Sequence, residues 1–484
     1  MNKQIRRVGV VLVALFAALF LQLNYLQVVR ADHLANHPRN VRTLLHDYTL
    51  RRGQILTEDG EIVARSVPSD DELKYQRLYP LGSLLGHVSG AFSFTYGASG
   101  IEDAFNDELT GKSQTRELRN LGDLLAGKEH TGTVVLGIDA AAQRLARDAI
   151  RQAGERGSVV VLDPITGKVI VMYSEPSFDP TPLAGHKQLE VTNAYQALDN
   201  DVAKPMLART FRERYAPGST FKIVTAATAI DTGTSTPESV FPELTELDLP
   251  QTNNALGNFG GKRCGGTLAM AFRVSCNTVF AQLGLDLGER LALGTRAFGI
   301  GDTVPFDLPV ARSAGPERGS FKMDQPSFAN AAIGQGDVAV TPLQMALVTA
   351  AIANDGAIMR PYLVTEVRDV DGVPIKTTRP RVWKQAVTQE TAGTLKALMV
   401  DVVERGTGTA AKIPGVTVAG KTGTAQAPGG PPHAWFVGFA PAGNPRFVIV
   451  VLVERGGSRG DEATGGRVAA PVARKVLAAV LGRG

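Results

Sequence analysis

Between Phe221 and Ile230 the chain is apolar on almost every side, yet Lys222 sits in the first turn. Phe221, Ile223, Val224, Ala226, Ala227, Ala229 and Ile230 leave little room for a polar stripe, so a helix here must be enclosed by other elements. Pro217-Gly218 marks its start and Asp231-Thr232-Gly233 its end. A lysine near the head of such a helix is costly. Burial and the positive end of the helix dipole both favour its neutral amine.

Ser219 lies three residues before Lys222, so the two side chains share a face. Alone, Ser219 would be an ordinary helix N-cap. Beside a neutral amine, its hydroxyl becomes a nucleophile next to a general base. Two more strings follow, Ser275-Cys276-Asn277 and Lys421-Thr422-Gly423. The patterns S-x-x-K, S-x-N and K-T-G each occur once in the chain. In this order they point to serine acyl transfer at a peptide or lactam carbonyl, through an acyl-enzyme.

Each string has a plainer alternative. Ser275 and Asn277 alone would be a polar turn between the apolar segments Met270–Val274 and Thr278–Gly284. In context, Ser275 completes a proton path from Lys222 to the leaving group. Asn277 has a donor and an acceptor, enough to hold both a substrate amide and the lysine. Lys421-Thr422-Gly423-Thr424 alone would be an edge strand with an exposed lysine. In context, Lys421 supplies positive charge, which attracts a substrate carboxylate and lowers the pKa of Lys222. Thr422 and Thr424 offer hydroxyls to that carboxylate. Gly423 is expected to clear space for a substrate strand. The backbone N–H groups of Ser219 and Thr424 are the expected oxyanion hole.

The 484 residues, 44% hydrophobic, suit two or three domains. A net charge of +4 without a long basic run gives no case for nucleic-acid binding. Cys264 and Cys276 fit no zinc pattern and no disulfide-dense scaffold. No cofactor is implied. None of the seven histidines has a recognisable catalytic setting, and His433 reads as a loop residue at most touching a cleft rim. Asp461-Glu462 reads as a solvated Gly-rich loop.

Lys3, Arg6 and Arg7 precede an apolar run from Val8 to about Val29. As a helix it would span roughly 33 Å, against a hydrocarbon core of about 30 Å. Arg30-Ala31-Asp32-His33 offers no small-residue cleavage site, so an uncleaved anchor is expected in place of a signal peptide. The basic tip places the N-terminus in the cytoplasm and the rest outside. No later stretch is long and apolar enough for a second span.

Residues 31–150 read as a pedestal-like module. Strand-like pieces lie at Arg52–Leu56 and Glu61–Ala64 around the turn Glu58-Asp59-Gly60. Gln143–Gln152 reads as a helix with Leu145, Ala149 and Ile150 inward. From 151 to 484 strands stand at both ends: Ser158–Leu162 and Lys168–Tyr173, then Val416–Thr424, Ala434–Phe439 and Phe447–Glu454. A helix, Val468–Leu481, closes the chain. Helical segments fill the middle. The arrangement is α+β, an antiparallel sheet completed by both ends plus a helical subdomain.

Further strings carry a resemblance. They are Arg52-Gly53-Gln54-Ile55 with Asp59-Gly60, Gly97-Ala98-Ser99-Gly100-Ile101-Glu102, Leu109-Thr110-Gly111, and Ile138-Asp139 with Gln143. Gly334-Gln335-Gly336, Thr341-Pro342-Leu343-Gln344-Met345-Ala346 and Trp435-Phe436-Val437-Gly438-Phe439-Ala440-Pro441 join them. With the three catalytic strings, the chain resembles the class B penicillin-binding proteins, in particular their actinobacterial members. The resemblance implies a serine D,D-peptidase/β-lactamase-like transpeptidase domain behind a membrane anchor and a reduced N-terminal module. It implies a D,D-transpeptidase acting on peptidoglycan stem peptides that end in D-Ala-D-Ala, acylated by β-lactams. Cell-division or elongation membrane proteins, a glycosyltransferase among them, are the implied partners. No glycosyltransferase region or C-terminal accessory domain is expected in the chain itself. A D,D-carboxypeptidase, a serine β-lactamase, and a β-lactam sensor or divisome scaffold share the catalytic strings and stay open as alternatives. An oxidising compartment outside the membrane permits a Cys264–Cys276 bridge, which would tie Asn258–Gly266 to the catalytic turn. Two thiols, with Cys276 a small buried hydrophobe, are the alternative.

Overall fold

The computed structural model describes residues 2–30, 48–111, 131–154, 156–427 and 429–482. The expected start of the pedestal module, at residue 31, lies outside them. Two compact units result: Met1–Arg51 with Val67–Gln76, and Arg52–Ser66 with Arg77–Gly484.

In the first unit, helix α1 spans Asn2–Asn24 and continues into one wider turn, Tyr25–Val29. Lys3–Val29 is the one helix among the described residues long and apolar enough to cross a membrane, with a mean hydropathy of 2.1.

The second unit is built on a five-stranded antiparallel sheet. Its strands are β1 (Gly157–Leu162), β2 (Val169–Glu175), β3 (Ala419–Ala427), β4 (Gly430–Ala440) and β5 (Phe447–Val453), in the spatial order β3-β4-β5-β1-β2. Val160 stands opposite Val450, and Lys421 opposite Val437. The two ends of the catalytic region thus meet in the middle of the sheet. Residues Val448–Val453 and Val159–Leu162 are all buried, so both faces are covered. Helices α2 (Ala140–Ala153) and α3 (Ala469–Leu481) pack on each other and on the sheet. The fully buried helix Pro342–Ala353 packs against the sheet and against the helical region. Helix Lys222–Asp231 is enclosed, as its sequence requires; eight of its ten residues are buried.

A second, mixed sheet includes Pro374–Thr377, Val364–Arg368, Thr133–Leu136 and Ile55–Leu56. Only Ile55–Leu56 of the expected first strand pairs. Arg52 instead enters an ion cluster. Its Nε and that of Arg77 donate to the buried Glu102 carboxylate at 2.5 and 2.6 Å. Burial pushes the Glu102 pKa up, but Arg77 and Arg52 outweigh it and hold it below the ordinary value.

Two expectations are corrected. On α2, Leu145 is 39% exposed, while Gln143 is buried with Ala146, Ala149 and Ile150. Those four recur at three- and four-residue spacing, and Leu145 falls off their stripe. His433 lies within β4 and not in a loop, and its Nδ1 accepts from Arg455 N at 3.2 Å. Lys421 is on the edge strand β3 and fully buried, which removes the plainer alternative of an exposed edge lysine.

Gln143 bridges backbone groups. Its amide nitrogen donates to Met172 O and Leu84 O at 2.9 and 3.1 Å, and its oxygen accepts from Met172 N at 2.9 Å. Gln143→Leu leaves these buried groups unpaired and should cost about 2 kcal/mol or more. Leu145→Gln should stay within about 0.5 kcal/mol. Equal shifts in denaturant midpoint for the two variants would contradict this placement.

Candidate active site

The segment that carries Ser219 is held at every step. Tyr215 and Val340 exchange both backbone hydrogen bonds at 2.9 Å. Trp435 Nε1 donates to Ala216 O at 3.1 Å. Gly218 N donates to Gly334 O at 2.9 Å. The Tyr215 hydroxyl and Arg209 Nε both donate to Glu454 Oε1, at 2.6 and 2.8 Å. Gly218–Phe221 then makes a 3-10 turn into helix Lys222–Asp231. Ser219 is half-buried in that turn and opens on a cleft of about 1140 Å³.

Lys222 is completely enclosed. Its Nζ donates to Asn277 Oδ1 at 2.7 Å, Ser275 O at 2.8 Å and Ser275 Oγ at 3.4 Å. Burial, then the neighbouring Lys421, hold its pKa well below the ordinary lysine value. Lys421, equally enclosed, donates to Ser275 Oγ at 2.9 Å and Thr422 O at 3.0 Å. Burial pushes its pKa down to about 7. Neither amine makes an ion pair with a carboxylate among the described residues. No hydrogen bond joins Lys222 to Ser219 there either; the amine is turned toward Ser275 and Asn277. Such contacts commonly tighten only when substrate is bound.

Ser275 ends helix Leu268–Val274 in a left-handed conformation, φ 63° and ψ 46°. That turn lets its carbonyl and hydroxyl both face the lysines. Asn277 opens the next helix, Asn277–Leu287. The structure joins Cys264 to Cys276, with Cα atoms 5.9 Å apart, tying strand Cys264–Thr267 to this turn.

The cleft is lined by Ser219, Ser275, Asn277, Thr422 and Thr424, so the three strings converge on one space. Its margin carries Lys262, Arg263, Arg273, Arg405, Arg459 and Arg467 against two carboxylates, Glu243 and Glu462. An anionic ligand fits such a margin.

A family model described as the penicillin binding protein transpeptidase domain matches residues 157–478. A second, the penicillin binding protein A dimerisation domain, matches residues 52–135. The chain belongs to the penicillin-binding protein transpeptidase family. It is 41% identical to the peptidoglycan D,D-transpeptidase PbpA of Mycolicibacterium smegmatis, covering 100% of both chains. It is 39% identical to the Mycobacterium tuberculosis protein of that name, over 99% of each. Its fold is similar to that of penicillin-binding protein A from M. tuberculosis solved as a ceftriaxone acyl-enzyme complex. The TM-score is 0.84 and the identity 37%, covering 90% of this chain and 100% of that one.

Gly423 has a neighbour beyond the expected one. A Cβ there would lie 2.8 Å from Pro217 O and 2.9 Å from Thr220 Cγ2. The missing side chain makes room for the turn that carries Ser219. Sequence reasoning also missed Asn258. Its Oδ1 accepts from Asn277 N and Thr278 N at 2.8 and 3.0 Å, capping the catalytic helix from a distant loop. No local cap pattern marks it.

Gly423→Ala should destabilise by about 1–3 kcal/mol through overpacking and slow acylation by penicillin, since the displaced turn carries Ser219. Gly443→Ala, where a Cβ meets nothing within 4 Å, is the control. If both variants matched the parent in melting temperature and acylation rate, the contact would carry no weight.

The lysine pKa has a thermodynamic consequence. Lys421 at about 7 lies below its free value of 10.5, so between these limits the folded chain binds fewer protons than the unfolded one. Stability therefore rises with pH across that window, and Lys222 acts in the same direction. Lys421→Met should reduce the slope between pH 7 and 9 by up to about 1.4 kcal/mol per pH unit. An unchanged slope would show that Lys421 titrates normally.

Proposed function

We propose that the chain is a peptidoglycan D,D-transpeptidase working through Ser219. The observation that carries this reading is the pair of buried amines meeting at Ser275, beside Ser219, in a cation-rimmed cleft. The names of its full-length relatives support the substrate class.

In this reading the donor is a stem peptide ending in D-Ala-D-Ala. Neutral Lys222 takes the Ser219 proton as Oγ attacks the penultimate D-Ala carbonyl. The tetrahedral oxyanion is held by the N–H groups of Ser219 and Thr424. The C–N bond then breaks, and terminal D-Ala leaves as an amine with a proton passed through Ser275. An amine from a neighbouring strand attacks the ester, gives up its proton along the same path, and frees Ser219. Asn277 holds the donor amide. Thr422 and Thr424 hold the donor carboxylate, with Lys421 behind them. Gly423 supports the Ser219 turn. A β-lactam acylates Ser219 by the same attack, with ring opening in place of departure.

Residues 1–30 serve as cytoplasmic tip and single membrane anchor, 31–150 as the pedestal module, and 151–484 as the catalytic domain outside the membrane. The apolar helix Lys3–Val29 supports the anchor. Membrane proteins of division or elongation, including a glycosyltransferase, are the partners in this reading.

The test is intact mass after exposure to penicillin. The parent should gain one penicilloyl group, and Ser219→Ala none. Lys222→Arg should be nearly as defective as Lys222→Ala, because arginine cannot act as a neutral base. An adduct on the Ser219→Ala variant, or rapid acylation of the Lys222→Arg variant, would overturn the assignments. Incubation with a stem-peptide donor and an amine acceptor should yield a cross-linked product and free D-Ala; free D-Ala alone would mark a carboxypeptidase.

A further inference from the structure

We propose that Thr407 is a positioning residue that sets the direction of the Thr422 hydroxyl and so makes the site prefer acyl donors with a free carboxylate. This rests on the reading of Thr422 given above. Thr407 follows helix Gln389–Arg405. Its loop is fixed, because Gly406 N and Gly408 N both donate to Val402 O, at 3.1 and 3.0 Å. Gly466 closes over it: a Cβ there would lie 2.3 Å from Thr407 O. The Thr407 and Thr422 hydroxyl oxygens are 2.6 Å apart, and both residues line the cleft with Ser219.

Each hydroxyl has one proton. If Thr422 donates to Thr407, it turns lone pairs on the cleft and repels an anion. If Thr407 donates, Thr422 keeps its proton for the cleft. A carboxylate selects the second arrangement, and donation into Thr422 strengthens its own outgoing bond. A neutral ester or amide gains less, since bonds to ionised acceptors are the stronger class. Without Thr407, the Thr422 hydroxyl loses its fixed partner and this preference falls.

The experiment compares acylation by penicillin G and by its methyl ester, followed by intact mass. Thr407→Val should slow acylation by the free acid about five- to tenfold, the size of one modest hydrogen bond. Its rate with the ester should stay near that of the parent, and Thr407→Ser should restore the preference for the acid. In a Thr422→Val background the Thr407→Val change should have no further effect. Equal slowing with acid and ester would mark Thr407 as structural only and overturn the proposal. So would an unchanged acid rate. A parent chain that forms no adduct on Ser219 would instead overturn the transpeptidase reading, and this inference with it.

Discussion

Two lysines are sealed in the interior with no carboxylate paired to them among the described residues, and the catalytic half of the molecule is arranged around that fact. Burying a charged amine without a counter-ion is expensive, so the interior drives both groups toward the neutral form. The partners offered are oxygen acceptors: Ser275 O, Ser275 Oγ, Asn277 Oδ1 and Thr422 O. Ser275 supplies two of these because its backbone is left-handed, a conformation that costs a non-glycine residue about 1–2 kcal/mol. The bridge from Cys276 to Cys264, and the Asn258 cap on Asn277 and Thr278, hold that turn from the side. A strained turn persists only when its surroundings over-determine it.

Ser219 is placed by a second device, close approach of backbone. The turn carrying Ser219 lies between Gly423 of the edge strand and Gly334. A Cβ on Gly334 would come within 2.1 Å of Gly218 O, and one on Gly423 within 2.8 Å of Pro217 O. Side chains at either site would push the turn away. Glycines on both sides let the sheet edge and the helical region grip it directly. The edge position of β3 matters equally, since its free side faces the cleft with Thr422 and Thr424.

The lysine in an all-round apolar helix, the order of the three strings and the strands at both ends of the catalytic region were legible because each is local: a period, a turn, a run. What was not legible depends on which distant group a residue meets. The amphipathic pattern puts Leu145 inward with Ala149 and Ile150, whereas the inward stripe of α2 contains a glutamine that serves backbone groups on two other elements. Gly423 also packs against the Ser219 turn, a neighbour no local pattern announces. His433 follows Pro431 and Pro432, which read as a loop. Yet β5 joins β4 only from Ala434, so the prolines lie where the strand has a partner on one side alone. Asn258 and Thr407 act across the fold on other motifs, and nothing in their own surroundings announces it.

The geometry at Ser275 gives Lys421 a second part to play. Burial pushes the Lys421 pKa down to about 7, and the charge it carries lowers the pKa of Lys222 in turn. The charged and neutral forms of Lys421 both carry N–H groups, and either can donate to Ser275 Oγ. That bond occupies a lone pair of the hydroxyl and leaves its proton to point elsewhere. Lys222 Nζ, 3.4 Å away on the other side, can take that proton when neutral and return one when charged. Lys421 thus gives the hydroxyl a direction whatever its own protonation state. In the transpeptidase reading, this lets Ser275 carry a proton outward to a leaving amine and inward from an attacking one. The residue that sequence reads as a charge is, in the fold, also a donor that directs the Ser275 hydroxyl.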